Sequence, residues 1–240
     1  MNIDVLAICS HPDDAELCCG GYLIKANRCG MKTAVLDLSS GDMGTRGTAQ
    51  IRATEAKEGA KKLGLQQRLC LSIPDGHILH NEDNISKVAT VIRQLKPKII
   101  LTPYWEDHHP DHANTSKIVK DAWWFAGVKK YPIEGETHRA ERILYYISRY
   151  RIEPNFIFDI SDVFAEKTSA VLCYGSQLYS KSSSEPITQI SNPSFLEGWE
   201  AKQRALGSSI GVQYGEGYIM RTPVPLNDPR AVLLDVAGII

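Results

Sequence analysis

IDVLAICSHPDDAELCCGGYLIKANRCG, residues 3–30, carries both an architectural signal and the first chemical one. Ile3–Cys9 is an aliphatic run of the kind found in strands buried on both faces of a parallel sheet. HPDDAE, His11 to Glu16, follows at once, and Ala15–Arg28 reads as a helix closed by Gly30. A strand feeding straight into a helix is the start of a βαβ unit. In a dinucleotide-binding sheet this turn carries G-x-G-x-x-G, which leaves room for a pyrophosphate. Here it carries an imidazole and carboxylates, which repel a phosphate. Three acids within four residues, Asp13, Asp14 and Glu16, are costly to hold as anions unless a cation compensates them. Acids are also common in a first helical turn, which accounts for Glu16 but not for His11 beside Asp13 and Asp14. His11 and Asp14 are three apart, and a tight strand-to-helix turn points both into one cavity.

The same alternation continues downstream. Lys32–Leu38 and Lys98–Thr102 are further strand candidates, with a short one near Leu69–Ser72 ended by Pro74, Asp75 and Gly76. Gln50–Leu63, stopped at Gly64, and Asn84–Leu95, stopped before Pro97, are the intervening helices. This pattern predicts one Rossmann-like α/β domain over residues 1–240, a mostly parallel sheet with helices on both faces. After Pro110, DHANTSKIVKDAWWFAG reads as another helix, with at least one of Trp123 and Trp124 in the core. Val128–Arg142 reads as loop, and Ile143–Ile147 and Phe156–Ile160 as strands. Ser161 is the expected cap of a helix running to Tyr179. Lys181–Pro193 reads as an exposed mobile loop, Ser194–Leu206 as a helix, and Gly207–Pro229 as a Gly-rich tail.

With 27 Lys and Arg against 28 Asp and Glu, no global positive field exists to hold a nucleic acid or an anionic membrane. No stretch approaches the ~20 apolar residues of a membrane helix. The first residues lack a basic segment followed by a long apolar one, so no secretory leader is expected. Cys9, Cys18, Cys19, Cys29, Cys70 and Cys173 are scattered without C-x-x-C spacing, which fits reduced thiols in a cytoplasm.

A second chemical signal, HHPDHANT from His108 to Thr115, again follows a strand and opens a helix. It concentrates three of the seven histidines in five residues. His109 and His112 are three apart, so one can ligate while the other reaches a substrate oxygen. The two loops together can supply His, Asp and His to one metal with a position left for water, which is a catalytic pattern. A divalent metal acidifies its water, and a neighbouring carboxylate that is not a ligand, here Asp13, can take the proton. The same two-His, one-carboxylate set also fits a ferrous oxygenase. The spare Asp13 favours hydrolysis.

HPDDAELCCGG (His11–Gly21) and HPDH (His109–His112) resemble the two motifs of the LmbE-like, or PIG-L, family of metal-dependent N-acetylglucosaminide deacetylases. The likeness extends through GDMGTRGTAQIRATEA (Gly41–Ala56) and DISDVFAEK (Asp159–Lys167), which most resemble the bacillithiol branch acting on N-acetylglucosaminyl malate. The resemblance implies His11, Asp14 and His112 as ligands of zinc or, in a reducing cytoplasm, Fe2+. It implies Asp13 as general base, and His109, charged and oriented by Asp111, as oxyanion stabiliser. Arg52 matches a substrate-contacting arginine, although an Arg on an exposed helix is its plainer reading. Arg46, in the Gly-rich turn Gly41–Gly47, would face an anionic aglycone from a flexible rim. His108 stands where the bacillithiol branch often has an Arg suited to gripping malate. Some relatives use a mobile tyrosine, for which Tyr104, Tyr179, Tyr214 and Tyr218 are available. Trimers or hexamers are implied by resemblance alone. A hydrolase of another acetylated small molecule, such as an antibiotic or a chitin fragment, would keep the chemistry and change the pocket. A non-catalytic sugar- or metal-binding protein is a further alternative.

Overall fold

A computed structural model describes residues 2–149, 152–225 and 227. Seven strands form one sheet in the order β3-β2-β1-β4-β5-β7-β6. β1 (Val5–Cys9) lies between β2 (Thr33–Asp37) and β4 (Ile99–Pro103), with β3 (Gln67–Cys70) outside β2 and β5 (Arg142–Tyr146) outside β4. These five are parallel, with Val5 opposite both Thr33 and Ile99. β7 (Gly215–Ile219) runs antiparallel between β5 and β6 (Phe156–Asp159). β1 and β2 are fully buried, as strands covered on both faces must be.

Alternate residues of β1 face two separate cores. Leu6 and Ile8 pack with Val88, Ile92, Ile118 and Val119, from α3 (Glu82–Leu95) and α4 (Pro110–Ala126). Val5, Ala7 and Cys9 pack with Leu23 from α1 (Asp14–Arg28), Leu63 from α2 (Ala49–Leu63) and Ala170 from α5 (Phe164–Val171). α6 (Phe195–Ser208) lies on this second face, with Trp199 against the core. Local signals set the ends. The Thr48 hydroxyl caps α2 by accepting from the Ile51 N–H at 3.2 Å, and Gly64 closes the helix at φ 71°. Asn81 caps α3 through the Asn84 N–H at 2.9 Å.

The C-terminal third departs from the sequence expectation. The Gly-rich tail contains β7, and the part beyond residue 227 lies outside the described residues. Ser161 caps no helix: its hydroxyl donates to Asp159 and accepts the Gln213 and Tyr214 N–H groups, holding the approach to β7. α5 ends at Val171 rather than Tyr179. Tyr174 turns inward there and is 1% exposed. The 181–193 loop is largely exposed as expected, yet it is tied down: Arg46 donates to the Pro186 carbonyl and Glu185 accepts the Gly47 N–H at 3.0 Å. Trp123 packs on the core, while Trp124 is 53% exposed under the Arg139 guanidinium. No helix among the described residues is long and apolar enough to cross a membrane.

Candidate active site

The sheet order reverses between β1 and β4, and at such a switch point the loops leaving the carboxyl ends diverge to open a crevice. The HPDD turn leaves β1 and the HHPDH turn leaves β4 at that point. Between them lies a cavity of about 630 Å³ whose wall includes His11, Asp13, Asp14, Arg52, His109 and His112.

His11, Asp14 and His112 are all buried, each offering an atom within 4.8 Å of the others. Asp14 is held by the Ser10 and His11 N–H groups, both on its Oδ2 at 3.1 and 3.0 Å. Its Oδ1 lies 3.3 Å from His112 Nε2, and its Oδ2 lies 3.9 Å from His11 Nδ1. The far nitrogen of each ring meets other acids. His11 Nε2 is 3.1 Å from both Asp75 and Asp111, and His112 Nδ1 is 3.3 Å from Asp107, close enough for an ion pair though poorly aligned as a hydrogen bond. Outer carboxylates of this kind fix the orientation of metal-ligating imidazoles. Burial opposes charge on both rings. Asp111 and Asp75 nevertheless raise His11 to about 9, and Asp14 and Asp107 raise His112 to about 10. Burial would raise Asp14, but the two imidazoliums hold it far below the ordinary carboxylate range. The cluster thus favours positive charge, a demand that a divalent ion could meet in place of the ring protons.

Asp13 faces the same cavity without joining that set. Its backbone stands at φ 106°, and its side chain caps no helix N–H. Burial pushes its carboxyl up to about 7; Arg52 opposes this, and the charges of Asp14 and Glu16 add to it. Arg52 is 5% exposed, so the exposed-helix reading is wrong. Its guanidinium donates to the Pro12 carbonyl at 2.5 Å and the Gly41 carbonyl at 3.3 Å and lies 3.4 Å from Asp13 Oδ2. Gly41 sits at φ 71° against that guanidinium, where a Cβ would collide with it.

Three expectations need correction. The carboxylate of Asp111 does not orient His109: it accepts from Gly76 and Ile78 N–H groups and faces His11, while the Asp111 backbone N–H donates to His109 Nδ1 at 3.2 Å. Burial, followed by the charges on His11 and His112, lowers the pKa of His109, so this ring is neutral with its proton assigned to Nε2. Arg46 does not face the cavity. It is 3% exposed and donates to the carbonyls of Ser176, Leu178 and Pro186, while Met43, Gly44 and Thr45 form the rim instead. His108 is exposed and outside the cavity lining. Glu16 pairs with Arg68 at 2.6 Å beneath the site. No tyrosine lines the cavity among the described residues. Sequence reading missed Asp75, taken only as a turn residue, and Asp107, one position before the second cluster. It also missed Ser148, Arg149, Lys202 and Glu216, which reach the cavity from the segment after β5, from α6 and from β7.

The family model "PIG-L: GlcNAc-PI de-N-acetylase" matches residues 6–123, which contain every one of the ligand-type residues above. The diacetylchitobiose deacetylase of Thermococcus kodakarensis is 30% identical over 232 residues, covering 89% of this chain and 81% of its own. Among solved structures, the conserved protein TT1542 from Thermus thermophilus superposes with a TM-score of 0.86 at 36% identity, over 95% of this chain and 98% of that one. The N,N'-diacetylchitobiose deacetylase from Pyrococcus horikoshii, solved with its inhibitor MPG, has a TM-score of 0.79 at 24% identity, over 90% and 83%. At that identity it shows a shared fold.

Proposed function

The chain belongs to the PIG-L family of de-N-acetylases, and from that premise we propose that it hydrolyses the N-acetyl group of an N-acetylglucosaminide, with N-acetylglucosaminyl malate as its substrate. The observation that carries this reading is a buried carboxylate, Asp13, left over beside a complete His11, Asp14 and His112 set. An oxygenase built on the same set has no use for it.

In this reading His11 and His112 ligate through the nitrogens that face Asp14, and Asp75, Asp111 and Asp107 hold their far sides. A divalent ion held there, zinc or Fe2+, supplies a Lewis acid and makes water more acidic. Asp13, with a pKa near neutrality, takes the proton of the water that attacks the acetamide carbonyl. It then returns that proton to the glucosamine nitrogen as the C–N bond breaks and acetate leaves. His109 donates a hydrogen bond from its Nε2–H to the carbonyl oxygen as negative charge develops, and keeps the proton. Arg52 keeps the Asp13 turn in place by holding the Pro12 and Gly41 carbonyls. The rim of Met43, Gly44 and Thr45 borders the sugar. The free thiols suit a cytoplasmic setting, and assembly as a homo-oligomer is part of the same proposal.

The test is release of free amine from N-acetylglucosaminyl malate and from N-acetylglucosamine by metal-loaded protein. Preferential cleavage of the conjugate is expected. Cleavage of neither would sink N-acetylglucosaminyl malate as the substrate and move the search to a different aglycone.

A further inference from the structure

Most charged groups around the cavity have an opposite charge beside them. Asp13 has Arg52, Asp14 has two imidazoles, and Glu216, at the far end, has Lys167 at 2.7 Å. Two cations on the same wall, Arg149 and Lys202, have no carboxylate within ion-pair distance among the described residues. Lys202, partly buried on α6, donates to the carbonyls of Ile147 and Ser148 at 2.6 and 2.7 Å. Arg149, on the exposed rim, donates to the side-chain carbonyl of Gln189. Both therefore have only neutral acceptors. Burial, with the nearby Lys167 charge adding to it, lowers the pKa of Lys202, and the more distant Asp107 only partly opposes this. A charge withdrawn from water without a counterion is costly, and the open volume beside it is where a counterion fits.

These cations are anchored to the catalytic cluster. Lys202 fixes the chain just after β5, and the Ser148 hydroxyl bonds Asp107, which stands behind His112. Arg149 is the next residue. We infer that this β5–α6 end of the cavity is an anion subsite, in which Arg149 and Lys202 hold an anionic group on the aglycone, a carboxylate in the proposed substrate, while the acetamide lies at the His11–His112 end. The planar guanidinium supplies paired donors suited to a carboxylate, and the ammonium supplies a point charge. The subsite takes over the role expected of His108, which stands outside the cavity lining. This inference rests on the de-N-acetylase reading for the name of its ligand, though not for its charge.

Calorimetric binding of two unreactive amine ligands, glucosaminyl malate and methyl glucosaminide, separates the two ideas. Wild-type protein should prefer the charged ligand, and added salt should erode that preference. Arg149→Gln and Lys202→Gln should each reduce the charged-over-neutral affinity ratio about tenfold to a hundredfold. Arg149 is exposed, so its substitution tests the subsite even if loss of Lys202 disturbs the loop it holds. A wild-type protein without preference, or an Arg149→Gln ratio equal to wild type, overturns the subsite. A clear preference that Arg149→Gln removes, in a protein that releases no acetate, upholds the subsite and removes the catalytic reading instead.

Discussion

Asp13 combines a left-handed backbone, φ 106°, with near-complete burial, and neither is comfortable for an aspartate. Such strain persists only where the surroundings over-determine it, here through Arg52 on the preceding carbonyl and the Leu17 N–H on the Asp13 carbonyl at 3.0 Å. Asp13→Asn keeps the shape and removes the base. We predict a loss of about 10²–10⁴ in kcat with metal content retained, read by steady-state kinetics beside elemental analysis. His109→Ala should lower kcat by about 10²–10³, again with the metal retained, because the ring serves as a neutral donor and not as a ligand. Loss of metal in either variant would reassign the residue. His11, Asp13, Asp14 and His112 were legible in the sequence because each lies within a few residues of a strand's carboxyl end, where position along the chain nearly equals position in space. Asp75 was not: it meets His11 only because the loop after β3 crosses over β2 to reach the end of β1.

At the scale of elements, α1 is broken at Cys19, whose φ of −137° leaves the helical range. The Glu216 carboxylate occupies the break, accepting the Gly21 and Tyr22 N–H groups at 2.7 and 2.8 Å, and Lys167 and the Tyr218 hydroxyl complete its shell. A carboxylate in the helical ladder is an identifiable cause of a kink. Gly21 also admits β6 and its flank, for a Cβ there would stand 2.6 Å from Ile160 and 2.9 Å from Glu216. Gly21→Ala should therefore destabilise the fold by about 1–3 kcal/mol, seen as a fall in Tm of roughly 2–10 °C. An unchanged Tm would show that the kink is not tightly packed. Close approach also explains why β7 was missed. A Cβ on Gly215 would meet the Gly207 and Leu206 backbone at 2.9 and 3.0 Å, so GEGYI carries glycines where strand patterns expect β-branched residues. The five parallel strands have no such constraint, and their aliphatic runs could be read directly.

For the whole molecule, the acids and imidazoles at the switch point couple metal to stability. An ion that binds only the folded chain at about a hundred times its Kd contributes about 2.7 kcal/mol. Chelation should lower Tm by roughly 5–10 °C and abolish acetate release, with both restored by a divalent metal. A chelator-treated protein with unchanged Tm and full activity would exclude a metal role. Calorimetric scans with zinc and with Fe2+ added back would rank the two.

Glu216 follows Gly21 by 195 residues, so the helix behind the catalytic turn receives its last partner only after that long stretch has been synthesised. Until β7 inserts between β5 and β6, the Gly21 and Tyr22 amides lack their acceptor and Lys167 lacks its counterion. The catalytic turn is then adjacent to an unfinished helix. Sequence that emerges before β7 is thus late to reach its final form, a folding order set by long-range contacts. Chains truncated after Leu206 should show a protease-sensitive α1 in limited proteolysis, whereas the full-length protein should resist cleavage there.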